Sequence, residues 1–197
     1  MNVQFTDKIE SIFKNTLVLI RENGFHGTPM SQIAKASDVA IGTIYHYFPS
    51  KENLIIELFN YSKAKVNDFI FEQVDTTQPF ELQFKQVLKA FSACHLANTD
   101  IFSFMEQFHN SPFSESNHCS KLGTPYGENN IQNFLLKGIE AKILKPVDIV
   151  VLKAAFIGPL ITFTKAIIFG KMEFSDEQLE QLINIIWNGV KQNNENE

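Results

Sequence analysis

A chain of 197 residues, 44% hydrophobic, is long enough for one small domain plus a larger body with its own core. Cys94 and Cys119 make no Cys-x-x-Cys pair or disulfide framework, and the N-terminus has no basic region followed by an apolar run, so a reduced, cytoplasmic location is expected. The net charge of −5 divides unevenly: Lys8, Lys14, Arg21, Lys35 and Lys51 against Asp7, Glu10, Glu22 and Asp38 leave +1 over residues 1–51 and −6 for the remainder, which excludes a broadly basic nucleic-acid binder and confines any such surface to the N-terminal end.

The first predicted helix runs from Thr6 to Asn23, with Ile9, Phe13, Leu17 and Ile20 at helical spacing, a capping box at Asp7 and Glu10, and Gly24 as its C-cap. Thr28 and Pro29 start a second, short helix: a hydroxyl acceptor, then a ring that pre-sets φ. Ile33 and Ala34 are its buried side, and it ends near Ser37. The turn Ser37-Asp38-Val39-Ala40 leads into a third helix ending at Phe48, where Ile44 and Phe48 share a face and close a small core with Val39 and Ile33. Gly42, Thr43, His46 and Tyr47 occupy the opposite face. Pro49 stops this helix, and Ser50 with Lys51 begins a fourth that continues to about Val74, with Leu54, Leu58, Tyr61 and Phe69 pointing inward. Two helices joined by a short turn, the second free to enter a major groove, have the geometry of a helix-turn-helix reader.

Asp75 to Pro79 breaks the pattern. Phe80, Phe84, Val87, Leu88 and Phe91 then repeat every three or four residues towards His95, and Thr99-Asp100 caps a helix through Ile101 to His109. Residues 110–125, rich in Ser, Asn, Pro and Gly, read as an exposed loop shaping a pocket entrance. Tyr126 to Leu144 carries Ile131, Phe134, Leu135 and Ile139 on one side. Pro146 to Gly170 is apolar nearly all round, interrupted by Lys153, Pro159 and Lys165. The last helix opens on the capping box Ser175-Asp176-Glu177-Gln178 and carries Leu179, Leu182, Ile183, Ile186 and Val190. The longest uncharged apolar stretch, Ala154 to Thr164, falls short of the roughly 18 residues of a membrane span. With no strand-period segment and no repeat, the fold class is all-α, about nine helices.

The run Gly42-Thr43-Ile44-Tyr45-His46-Tyr47-Phe48, followed by Pro49-Ser50-Lys51-Glu52-Asn53-Leu54 and preceded by Ser31-Gln32-Ile33-Ala34, resembles the TetR family of one-component transcriptional regulators. The resemblance covers residues 6–66, with the helix-turn-helix at about 28–47; the remainder, 67–197, fits by helix count and order as a ligand-binding and dimerisation domain. It implies that Thr28 and Ser31 contact phosphates, that Thr43, Tyr45 and His46 face the bases with Gly42 allowing close backbone approach, and that Tyr47 and Lys51 anchor the backbone of double-stranded DNA. Three positions depart from the family pattern. Asp38 stands where the turn often has Gly, Ala40 where a Ser cap is common, and Ile41 where a Lys or Arg is common. With no Lys or Arg on the recognition helix, arginine-to-guanine pairing is not its code, and readout falls to thymine methyls, His46 and backbone donors. The alternative is that the aromatics cap a core on a helical hairpin that does not touch DNA.

In the family the last two helices meet a second copy in a four-helix bundle, so Leu152, Phe156, Leu160, Leu179, Leu182, Ile183, Ile186 and Val190 are the candidate homodimer interface, the alternative being a wholly intramolecular core. Phe91, Phe102, Met105, Phe108, Phe134, Phe156 and Phe163, with His95 and His109 as orienting groups beside Glu106 and Lys153, are the candidate pocket for a hydrophobic or aromatic effector. The same phenylalanines at helical spacing also read as ordinary core. Glu106-x-x-His109 has the i, i+3 spacing of carboxylate-bridged metal bundles, and Glu115-x-x-His118 repeats it, but no two further glutamates are assignable. No phosphate loop or nucleophile set is present, so the expectation is a regulator rather than an enzyme, without cofactor and without membrane: a ligand-released repressor on a near-palindromic operator, against a ligand-independent or activating regulator or a metal-binding helical enzyme.

Overall fold

The computed structural model describes residues 7–116 and 130–193. Among these, ten α-helices appear in the order α1 (Asp7–Asn23), α2 (Met30–Ala36), α3 (Ile41–Tyr47), α4 (Lys51–Glu72), α5 (Phe80–Ala97), α6 (Thr99–His109), α7 (Phe113–Ser116), α8 (Asn130–Glu140), α9 (Ile149–Ile168) and α10 (Asp176–Val190). The chain forms two compact units, residues 1–64 with 98–127 and residues 65–97 with 128–197, so the segment containing α6 lies with the N-terminal unit although the sequence division at 66/67 places it in the second part.

In the first unit Ile12, Phe13, Ile20, Ile33, Ile44, Leu54 and Leu58 are buried, and the Phe13 ring sits 5.5 Å from Phe48 and 5.0 Å from Tyr61. α1 ends where Gly24 takes φ 68° and donates to the Ile20 carbonyl at 2.8 Å, a left-handed closure that a side chain would strain. α6 joins this unit through an Arg21–Asp100 ion pair and through Phe104, 5.9 Å from Phe25. Asp100 is thus paired rather than capping: the cap position is Asn98, with no side-chain cap bond. Phe59 of α4 stacks on Phe108 at 4.0 Å. The first turn of α4 is closed by Asn53 N donating to Ser50 Oγ at 3.1 Å, as Ser50 predicts.

In the second unit the Phe84 ring is 4.7 Å from Phe156 and 5.0 Å from Trp187, joining α5, α9 and α10. Lys89 of α5 pairs with Glu180 of α10. α9 begins at Asp148, whose carboxylate accepts from Val150 N at 2.7 Å, and α10 begins at Ser175, which accepts from Gln178 N. α8 stops at Glu140, earlier than its pattern suggests, because Lys142 adopts φ 57° and the chain turns there. The connection after α8 is tied to the end of α10 by Lys145 N to Val190 O at 2.9 Å and Gln192 N to Ile143 O at 2.8 Å. Within α4, Val66 and Ile70 are buried and Phe69 is exposed, so the inward stripe is offset by one residue from the one Phe69 suggests. α9 has a mean hydropathy of 1.6 and only 22% of that stretch is buried; by length and composition it is the one described helix that could cross a bilayer, because the helix runs through Lys153 and Lys165 where the uncharged stretch alone is too short.

Candidate functional site

α2, the turn and α3 form the candidate reading surface. α2 ends at Ser37; Asp38 takes φ 53°, the left-handed conformation that Asp tolerates better than most residues, and α3 starts after Ala40 with no side-chain cap. Ile44 and Phe48 are buried, which turns the other side of α3 outward. Tyr45 is 50% and Ile41 42% exposed, Gly42 and His46 are exposed, and Thr43 and Tyr47 are half-buried. A Cβ on Gly42 would meet nothing within 4 Å, so the glycine leaves an open approach rather than relieving a clash. His46 and Tyr47 rings meet edge to face at 5.4 Å, which limits both rotamers. Ile41 belongs to this surface and was noted in the sequence only as a missing cation; its signal was an apolar residue at a helix start with no buried partner to claim it.

Two of the residues assigned to phosphates do other work. Thr28 is fully buried, and its Oγ1 donates to Gly24 O at 2.8 Å and Leu19 O at 3.2 Å, so its hydroxyl satisfies carbonyls at the end of α1 instead of facing solvent. It does not cap α2 either, whose cap residue is Pro29. Lys51 is half-buried, and its Nζ donates to the Phe25 carbonyl; burial lowers its pKa. Ser31 is exposed on α2, where a phosphate contact is open to it.

The candidate effector residues divide between the two units. Phe102, Met105, Phe108 and His109 belong to the first, and Phe91, His95, Phe134, Phe156 and Phe163 to the second. In the first unit Phe102 and Phe108 are buried core, Met105 is half-buried, and His109 is exposed with its ring edge-on to Phe59 at 5.5 Å. Partial desolvation of that ring lowers the His109 pKa, and Glu106 one turn back pulls it up in part. No group of three or more potential metal ligands occurs among the described residues. Glu115 lies on α7, and His118 falls outside the described residues.

In the second unit His95 is buried with Nδ1 2.9 Å from the carbonyl of Phe91, whose ring lies 4.2 Å away. Phe156 is buried against Phe84, and Phe163 is half-buried. Phe134 does line a cleft of about 540 Å³, together with Phe71, Phe80, Gln83, Asn130 and Lys137, none of which the sequence singled out as ligand-binding. Ser92 and Thr164 are fully buried, and their hydroxyls have no hydrogen-bond partner among the described residues.

Of the candidate dimer residues, Leu152, Phe156, Leu160, Leu179, Ile183, Ile186 and Val190 are buried in the protomer's own core, and Leu182 is half-buried. The apolar surface that α9 and α10 leave open is made by other residues: Val150, 71% exposed, Val151, Ala154, Ala155 and Ile185, 69% exposed. A second cleft of about 330 Å³ runs along this side of α9, between Gln132 and Ile161, and includes Lys153.

Residues 12–58 match the sequence model of the bacterial regulatory proteins of the tetR family, and residues 79–191, more than half of the chain, match that of the tetracyclin repressor-like C-terminal domain. The fatty acid metabolism regulator protein of Bacillus subtilis is 44% identical over 63 residues, 32% of this chain and 31% of its own length. The match to an uncharacterised HTH-type transcriptional regulator of Haemophilus influenzae is 31% identical over 107 residues, 54% of this chain; the chain therefore spans about a third to just over half of the length of these curated relatives. Among solved structures, a TetR-family transcriptional regulator from Haemophilus influenzae superimposes with a TM-score of 0.81 at 24% identity, covering 94% of this chain and 97% of that one, and the regulator FadR of Bacillus subtilis in complex with stearoyl-CoA with a TM-score of 0.75 at 18% identity, covering 92% and 98%. Matched in sequence over both halves and in fold over nearly its whole length, the chain belongs to the TetR family of bacterial transcriptional regulators.

Proposed function

We propose that the protein is a cytoplasmic, homodimeric repressor that reads a near-palindromic operator with α3 and leaves it when an apolar effector binds the second unit. The observation that carries the reading is the surface of α3, where Ile41, Gly42, Tyr45 and His46 face outward while Ile44 and Phe48 are consumed by the core. Tyr45 and Ile41 are thus left exposed together on one short helix. In a major groove the two side chains supply an apolar face for thymine methyls and a hydroxyl for a base edge. Because this surface has no cation of its own, affinity rests on two copies engaging two half-sites about one helical turn apart.

The open side of α9 and Ile185 of α10 is the surface we assign to the second copy. Val150, Val151, Ala154 and Ala155 are small or β-branched, so a partner helix can approach closely, and a two-fold axis makes one such patch cover its equivalent. α4 runs unbroken from Lys51 to Glu72 and so contributes residues to both units, which gives a ligand in the second unit a continuous helix through which to bias the first. The effector acts by population shift: it binds more tightly to the form that does not match the half-site spacing. FadR binds stearoyl-CoA, which supports an apolar effector class here without naming the molecule.

Fluorescence anisotropy with the DNA upstream of the protein's own gene tests the reading. Wild type is expected to prefer that DNA over a scrambled duplex, and Tyr45→Ala and Thr43→Ala to lose the preference while keeping the wild-type melting temperature. Equal, salt-sensitive binding of all three proteins to any duplex would overturn it.

A further inference from the structure

We infer that the cleft between the end of α4, the start of α5 and α8 is a binding site for a singly charged apolar acid, a carboxylate on a hydrocarbon or aromatic body; the inference rests on the effector-responsive reading only for its regulatory meaning. The walls are aromatic. Phe80 and Phe134 lie parallel with centroids 4.7 Å apart and 7° between planes, and Phe71 meets Phe134 edge to face at 6.3 Å. Phe71 and Phe80 are half-buried and line the cleft. At about 540 Å³ the space has the size of ligand sites in general.

The placement of Phe80 is built in. A Cβ on Gly138 would come within 2.5 Å of Phe80 Cζ, so the glycine is what lets this ring lie flat on α8 and form the wall. The polar lining of the cleft comes from the loop before α5, from α5 and from α8. Gln83 is already occupied, its Nε2 donating to Gln78 O at 2.7 Å and Thr76 O at 3.3 Å, which holds the loop before α5 in place. Among the described residues Lys137, exposed on the last turn of α8, forms no ion pair and is the single cation of the lining, with the Asn130 and Asn133 amides on the same helix. One cation and neutral amides match one carboxylate. A phosphate dianion would leave charge uncompensated against a phenylalanine wall, and a cation would meet Lys137 itself.

The test uses the full-length protein and calorimetric titration with three probes of equal chain length below their micelle concentrations: decanoate, decanol and decyltrimethylammonium. Decanoate is expected to bind more tightly than decanol, and the ammonium to bind worst. Lys137→Gln is expected to weaken decanoate by about fivefold, the size of a solvent-exposed ion pair, with decanol unchanged and the decanoate difference shrinking at high salt. Ala141→Trp, on the exposed rim, fills the cleft and is expected to abolish binding of both decanoate and decanol with the melting temperature kept. Equal binding of decanoate and decanol, no effect of Lys137→Gln, or full binding by Ala141→Trp would each overturn the site. None of these titrations contains DNA. If decanoate binds as described and does not change operator affinity, the site stands and the effector reading of it fails; if the operator is never bound, only the regulatory reading is lost.

Discussion

Thr28 separates two accounts of the start of the reading domain. By resemblance it contacts a phosphate; by geometry its hydroxyl is buried between Gly24 O at 2.8 Å and Leu19 O at 3.2 Å. Thr28→Val keeps the shape and removes the donor. The Leu19 carbonyl retains the Asn23 side-chain amide at 3.1 Å, whereas the Gly24 carbonyl loses its hydrogen bond in a half-buried place. A half-buried acceptor stranded in this way costs about 1 kcal/mol, the low end of the range for a buried group, and in a chain of this length each kcal/mol lowers Tm by roughly 2–4 °C, so a fall of about 2–4 °C is expected. Thermal unfolding followed by circular dichroism reads the shift. Anisotropy with operator DNA at several salt concentrations, well below the transition, reads the contact: the dependence of affinity on salt should keep its wild-type slope, because no phosphate partner has been removed. An unchanged Tm together with a slope reduced by about one would refute the structural role and restore the phosphate contact.

Thr164 is expected to behave in the opposite direction. Its hydroxyl is buried without a partner among the described residues, so Thr164→Val should raise stability by about 1 kcal/mol in chemical denaturation, and a loss of stability would show that the hydroxyl has a partner in solution. Val151→Glu and Ile185→Glu place charges on the open side of α9 and α10 and should shift the protein from dimer to monomer by light scattering with secondary structure retained, whereas a dimer surviving both would remove this surface from consideration. Burial pushes the Cys94 thiol up to about 11, with Lys65 opposing in part. In a Cys119→Ser background, iodoacetamide at pH 8 should therefore label Cys94 at the rate of unfolding; because the folded pKa is raised, the associated stability is complete below about pH 9 and is lost as pH rises through about 11.

The reading domain was legible because its signals are local. Ser50 as a cap, Gly24 at positive φ and the Ile44/Phe48 pair are each decided within one or two turns of chain, and each appears where the residues put it. The roles of Thr28 and Lys51 were not local. Both depend on carbonyls at the end of α1 and just beyond it, up to 26 residues away in the case of Phe25, and no spacing rule predicts which of a solvent phosphate and a buried carbonyl a hydroxyl or ammonium will choose. The same limit applies to α6. Its phenylalanines repeat as those of α5 do, and only the partners, Phe25 for Phe104 and Phe59 for Phe108, show which unit claims them.

α9 shows why periodicity alone does not say which side of a helix is left for a second copy. Periodicity finds an apolar stripe, but this helix is apolar on both sides, so the pattern cannot say which side the protomer uses. Side-chain size can. Leu152, Phe156 and Leu160, spaced by four, carry the volume needed to reach α5 and α10 across a core, and they are the ones buried. Val150, Val151, Ala154 and Ala155 carry little volume and stay outside, where a small-residue face lets a second helix come near without displacing anything already packed. Pro159, also exposed, removes the one backbone bond whose loss the Ala155 carbonyl can make good with solvent on that same open side. On this helix the buried stripe is the large Leu152, Phe156 and Leu160, so the small face, which we propose meets the second copy, is the one that substitution should target first.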